Sequence, residues 1–225
     1  MKKRIKNPLL SILSLLLACS AVHAYEQDNW YLANEWGVNQ SKGVFYHEDN
    51  VTGIGQIYVC NGSTTSSRIS VYDMNGSLDR HITIASTRYE AYDLVLDQNG
   101  TIYIAEQRAV TCLENDGTFK WRTGKNASIS NYGSTGSGNG EFQNARGITI
   151  GQDGNLFVAD YDNKRVQVLD KNGSFLKKFG SSGTAPGQLY KYTYDVKSLS
   201  DGTLVVRDYT GLNYFDLNGT FIKRL

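Results

Sequence analysis

Two anchors that recur together predict an all-β chain of four consecutive four-stranded antiparallel meanders, the blades of a β-propeller. The first anchor is a glycine, a polar residue and an aliphatic run: "GQIYVCN" from Gly55, "GTIYIAE" from Gly100, "GNLFVAD" from Gly154 and "GTLVVRD" from Gly202. The second is a turn flanked by apolar residues: "YDMNGSL", "LENDGTF", "LDKNGSF" and "FDLNGTF", with glycines at 76, 117, 173 and 219. Both repeat at about fifty residues, the spacing of propeller blades in an all-β chain. Composition agrees: 23 Gly, 15 Tyr and only 2 Pro suit short strands joined by glycine turns.

The third unit shows each element. An aromatic after a glycine-rich loop, "GNGEFQNARGITIGQ", leads into strand a around Ile148. Leu156 and Val158, then Val166 and Val168, have the period-two apolar spacing of strands b and c. The turn formers Asp160 to Lys164, "DYDNK", separate them. Asn172-Gly173 tolerates positive φ and predicts a tight hairpin into strand d, flanked by Phe175 and Phe179. Strands b are expected near 56–60, 101–105, 155–159 and 203–207. The a–b and c–d turns are short, whereas the b–c and d–a connections vary widely, from "EQRA" at 106–109 to "GKNASISNYGSTGSGNG" at 124–140. One end of every blade is therefore closed by tight turns, and the other carries variable loops on a rigid frame, where binding usually resides.

Residues 1–24 stand apart from the repeats 25–225. "MKKRIKN" is basic, "PLLSILSLLLA" is apolar and "AVHA" ends in small residues, the order of a secretory signal with a mature chain starting at Tyr25. The expectation is export, periplasmic or secreted; "LLAC" ending at Cys19 leaves lipidation as the alternative. The chain turns polar after Ala24, so no transmembrane segment is expected in the mature protein. A formal net charge of +1, from 23 basic and 22 acidic residues, gives no argument for a nucleic-acid partner. Cys60 and Cys112 lack CxxC spacing and read either as a disulfide permitted by export or as small buried residues.

The unit "GEFQNARGITIGQDGNLFVADYDNKRVQVLDKNGSFLKKFG" closely resembles the NHL repeat of six-bladed β-propellers, above all in Val158, Ala159, Asp160, Asn163, Arg165, Val166, Gln167 and Val168. The second and fourth units depart from it, with "AEQRAV" and "VRDYTGLNYF". The resemblance implies that a leading strand d, here "WYLANEWG", completes the last blade and closes the ring. Yet "GTFIKRL" already offers a strand d at the C-terminus, giving four a-b-c sets and five d strands. A fragment of a longer propeller, an open arc of four blades and a small closed ring all fit that count. The stop at Leu225 favours the first two, and an open strand edge would invite self-association.

Chemistry is sparse. Some propellers of the resembling family are metal-dependent lyases built on several channel histidines; after His23 in the leader only His47, on a d–a connection, and His81, on strand d, remain. No GxSxG, HExxH, Walker or EF-hand loop occurs, so no catalytic residue, metal or cofactor is assigned. Asp97, Asp153 and Asp201 are ordinary turn residues. Asp160, Asn163 and Arg165 are expected to be structural, the acid and arginine pairing across the b–c turn. Binding candidates are Arg108, Tyr161, Lys164, Arg207 and Tyr209, because aromatics and cations on a rigid rim stack on sugars or peptides and bind carboxylates. The expected function is a binding scaffold for a protein, peptide or glycan, with a propeller-type lyase or hydrolase and a sensor or extracellular domain as alternatives.

Overall fold

The computed structural model describes residues 41–49, 52–61, 67–84 and 90–225. The expected leader with Cys19 and the "WYLANEWG" strand lie outside them. Regular structure among the described residues is entirely β. The first blade is β1 (Ser41–Glu48), β2 (Gly55–Asn61), β3 (Arg68–Asp73) and β4 (Leu78–Thr83). The second is β5 (Ala91–Leu96), β6 (Ile102–Glu106), β7 (Ala109–Leu113) and β8 (Phe119–Thr123). A two-stranded hairpin, β9 (Lys125–Ser128) and β10 (Asn131–Ser134), occupies part of the long connection expected to be loop. The third blade is β11 (Ala145–Ile150), β12 (Leu156–Asp160), β13 (Arg165–Leu169) and β14 (Phe175–Phe179). The fourth is β15 (Thr193–Ser198), β16 (Leu204–Asp208), β17 (Leu212–Phe215) and β18 (Phe221–Arg224). Each blade is an antiparallel meander in sequence order. Strands b fall within one or two residues of expectation. His47 is a correction: it lies in β1 rather than in a connection, because strand a of the first blade extends to Glu48.

The core lies between blades. Strand alternation sends Leu156 and Val158 to one side, against Tyr103, Ala105 and Cys112 of the second blade. Phe157 and Ala159 go to the other side, against Val196, Leu204 and Val206 of the fourth. Tyr58, Cys60 and Val71 likewise meet Leu94, Ile102 and Ile104 between the first two blades. Fully burying such side chains contributes about 1.5–3 kcal/mol each, so each blade depends on its neighbours. Cys60 and Cys112 are buried in different interfaces and form no disulfide with each other.

The first strands pack side by side, β1 on β5, β5 on β11 and β11 on β15, while β15 makes no comparable contact with β1. Among the described residues the four blades thus form an open arc, not a small closed ring. Close approach of these inner strands is solved by an alternation at one register position: Gly43, Asp93, Gly147, Asp195. A Cβ on Gly43 would lie 2.7 Å from the Asp93 Cα, and one on Gly147 would lie 2.2 Å from an Asp195 carboxylate oxygen and 2.7 Å from its Cα. Asp93 in turn accepts the Ile148 backbone N–H at 3.1 Å and the Lys197 ammonium at 2.6 Å, so one carboxylate ties β5 to both β11 and β15. Partial desolvation opposes the charge on Lys197, whose side chain stays half exposed, but Asp93 and Asp195 more than offset this and hold its ammonium above the ordinary lysine range.

The c–d turns are tight in a particular way. In "DKNGS" only Gly173 has positive φ, 84°, and Asp170 accepts the N–H groups of Asn172 at 2.9 Å and Ser174 at 2.8 Å. Asp73 and Asp216 do the same in their turns. The turn is thus an acid-capped loop with a single left-handed glycine, accompanied by the register shift between Val168 and Leu169.

Gly147→Ala should lower stability by about 1–3 kcal/mol through the backbone clash with Asp195. Urea denaturation checks this; an unchanged midpoint would show that the inner strands are not packed this closely.

Candidate functional site

Every inner strand carries a bulge at its head. The pairing skips one residue between Ser41 and Gly43, Ala91 and Asp93, Ala145 and Gly147, and Thr193 and Asp195. The residues left unpaired are Lys42, Tyr92, Arg146 and Tyr194. A bulge re-aims its extra side chain and commonly does so beside functional sites. Here it brings two of these residues, Lys42 and Arg146, to the ring of a third, Tyr92, at the end of the blades that carries the b–c and d–a connections. The Lys42 ammonium stands 4.8 Å from the Tyr92 ring centre. The Arg146 guanidinium stands 5.2 Å from Tyr92 and 3.6 Å from Tyr161. Tyr161 also stacks on Tyr192, with centres 4.4 Å apart and planes within 7°, and meets Tyr194 edge-on at 5.2 Å. Arg207 lies 4.9 Å from Tyr194.

The cluster is held from beneath. The Tyr161 N–H donates to the Asn144 carbonyl at 2.8 Å, and its own carbonyl accepts from the Thr193 N–H at 3.2 Å, joining the third blade to the fourth. Lys42 pairs with Glu90. Burial opposes the charge on Glu90, but Lys42 and then Arg146 hold its carboxyl below the usual range. Burial and the Glu90 carboxylate push the Tyr92 hydroxyl up to about 12, and burial likewise raises Tyr161 against the pull of Arg146. These phenols are neutral donors at physiological pH.

Of the five candidates named from the sequence, Tyr161 and Arg207 belong to this network. Tyr209 belongs to a neighbouring group, 6.1 Å from Tyr190 with the Lys191 ammonium 4.1 Å from its ring. Lys164 has φ 53° and donates to the Asp162 carbonyl. Arg108 occupies the β6–β7 connection at the same end of the arc, half-buried. The sequence reasoning missed Lys42, Tyr92, Arg146, Tyr192 and Tyr194. A signal existed in the repeated pairs Lys42-Gly43, Tyr92-Asp93, Arg146-Gly147 and Tyr194-Asp195, which alternate a cation before glycine with a tyrosine before aspartate. Among the described residues no group of three or more His, Cys, Asp or Glu side chains could hold a metal ion.

A second network fixes the loops. Asp160 accepts from Arg165 Nε at 2.9 Å and Asn163 at 2.8 Å, and from the backbone N–H of Gln143 at 3.1 Å. Arg165 then donates to the carbonyls of Ser137, Gly138 and Glu141 at 2.7–2.9 Å, pinning the glycine-rich segment that leads into β11. The degraded repeats rebuild this latch with the arginine on strand d. In the second blade Arg122 of β8 donates to Glu106 at 3.3 Å and Thr111 at 2.7 Å. In the fourth, Arg224 of β18 lies 3.9 Å from Asp208 and donates to Asn213 and to the carbonyls of Thr184 and Gln188. The first blade has a neutral version, Asn61–Ser70–His81.

Comparison with known proteins gives the same class. The NHL repeat family matches residues 142–169, the third blade. Protein lin-41 of Caenorhabditis elegans is 46% identical over 50 residues, 22% of this chain and 4% of that protein. RING finger protein nhl-1 of the same organism is 29% identical over 127 residues, 56% of this chain and 13% of that protein. The chain thus spans a small part of these relatives. Among solved structures, virginiamycin B lyase from Staphylococcus aureus superposes with a TM-score of 0.59 at 13% identity, covering 81% of this chain and 54% of that one. The Neurospora crassa Pan2 WD40 domain does so with a TM-score of 0.58 at 12% identity, covering 85% and 51%. At such identities the likeness is one of fold. With the third-blade motif and the four-bladed arc, it shows a β-propeller fold whose third blade matches the NHL repeat.

Arg122→Ala should cost about 3–5 kcal/mol, because it removes the guanidinium that pairs with the buried Glu106 carboxylate, while Glu106→Gln combined with Arg122→Met should recover most of the loss. Equilibrium unfolding of the two variants checks this; equal destabilisation would contradict it.

Proposed function

We propose that this protein is an exported binding scaffold whose b–c and d–a rim engages a protein, peptide or glycan. The observation that carries the reading is Tyr161, clasped by Arg146 and Tyr192 on a latched scaffold. Several aromatic and cationic groups are fixed before any ligand arrives, so little ordering entropy is lost on binding. Ring edges and hydroxyls set beside guanidinium groups suit the hydroxyls and carboxylates of sugars and peptides. Export rests on the basic, apolar and small-residue order of residues 1–24. No helix among the described residues is long and apolar enough to cross a membrane.

The test begins with the full-length gene product expressed in a bacterial host. The exported form should begin at Tyr25 by N-terminal sequencing; a retained leader would contradict export, and a blocked Cys19 would replace it with lipid anchoring. Immobilised peptides and oligosaccharides should then show ligands whose affinity falls at least about tenfold with Tyr161→Ala plus Tyr192→Ala, in a variant with an unchanged far-ultraviolet spectrum. Ligands held equally by the double variant would place binding elsewhere.

A further inference from the structure

Arg146 differs from the arginines of the latches. Arg122, Arg165 and Arg224 each donate to carbonyl or side-chain oxygens. Arg146 donates no hydrogen bond among the described residues, and its Nε is buried without a partner. A guanidinium is a rigid planar fork of donors, and a buried donor left unmade costs about 1–3 kcal/mol. The nearest carboxylates are committed elsewhere: Glu90 to Lys42, and Asp162 to the Asn144 side chain at 3.3 Å. The ring contacts of Arg146 are with Tyr161 at 3.6 Å and Tyr92 at 5.2 Å, and neither gives its N–H groups an oxygen acceptor among the described residues.

Resting on the rim-binding reading above, we propose that Arg146 is a specificity-determining residue that receives a carboxylate of the ligand, an acidic side chain or a uronic acid, beside Tyr92 and Tyr161. Two features select a carboxylate. A carboxylate is planar and pairs with the guanidinium edge through two parallel N–H···O bonds. The charge also fits: Glu90 is ion-paired with Lys42, and among the described residues no carboxylate forms an ion pair with Arg146. Tyr92 and Tyr161 act as positioning residues, since they hold the fork in one orientation. Lysine cannot replace arginine here, because a point-charge ammonium has no planar fork.

The Arg146 Nε–Hε resonance reads this directly in the full mature protein. Three probes are titrated: terminally blocked Gly-Glu-Gly, its Gly-Gln-Gly counterpart and inorganic phosphate. The expected result is a saturable shift with the glutamyl peptide, at least about tenfold weaker with the glutaminyl peptide and weaker again with phosphate. Glucuronate should shift the resonance as the glutamyl peptide does, while uncharged glucose should not. Arg146→Lys should lose at least about tenfold in glutamyl-peptide affinity, read from the neighbouring Tyr161 amide, with the remaining spectrum intact. Equal response to glutamyl and glutaminyl peptides, or a stronger response to phosphate, would overturn the carboxylate assignment. Array ligands that need Tyr161 and Tyr192 but are indifferent to Arg146→Lys would also overturn it while leaving rim binding standing.

Discussion

The bulge at the head of each inner strand is the feature on which the rest depends. Without it, strict alternation would leave no residue free of the β11–β12 pairing at position 146. With it, Ala145 pairs with Asp160 and Gly147 with Ala159, and Arg146 is released toward Tyr161. The same step places Gly43, Asp93, Gly147 and Asp195 where inner strands approach most closely. Packing and site construction are thus one event: the residue after the bulge sets how near two blades come, and the residue in it builds the rim. Asp93 shows the coupling, because it takes up the Ile148 N–H just past the bulge of the next blade.

The latches have a different logic. An acidic residue at the end of strand b recurs in three blades, as Glu106, Asp160 and Asp208, but its arginine moves between strands c and d. Either origin delivers a guanidinium to the same carboxylate, since both strands end beside it. In the third and fourth blades, the remaining guanidinium donors hold carbonyls of the loop entering the blade. A long glycine-rich connection otherwise has little to fix it, and unpaired backbone carbonyls near the core are costly. The latch turns such a connection into a stable support for the rim.

Much of the architecture was legible because it follows from local chemistry. The period of the glycine anchors marked the blades, and alternation at Leu156–Asp160 marked both inter-blade faces. Tyr161 and Arg207 were legible as rim residues because they follow or end strand b in recognisable repeats. Tyr92, Arg146 and Tyr194 were not, since alternation alone assigns residues within a strand to one face or the other. A bulge breaks that parity without any obligatory residue of its own. The arginine of the second and fourth latches escaped for a related reason: Arg122 and Arg224 replace Arg165 in space while sitting far from its aligned position. The short hairpin β9–β10 was hidden in a segment of Ser, Asn and Gly whose pairing comes from local turns, including the Asn131 side chain accepting the Gly133 N–H.

The central claim is that the bulge and its two tyrosines hold the Arg146 guanidinium rigid before a ligand binds. Nitrogen-15 relaxation of its Nε–Hε group measures this on the unliganded protein. The account predicts an order parameter near that of rigid backbone, about 0.85, with release toward solvent-like mobility in Tyr161→Ala. A value below about 0.6 in the wild-type protein would show a freely moving surface arginine and would contradict the account.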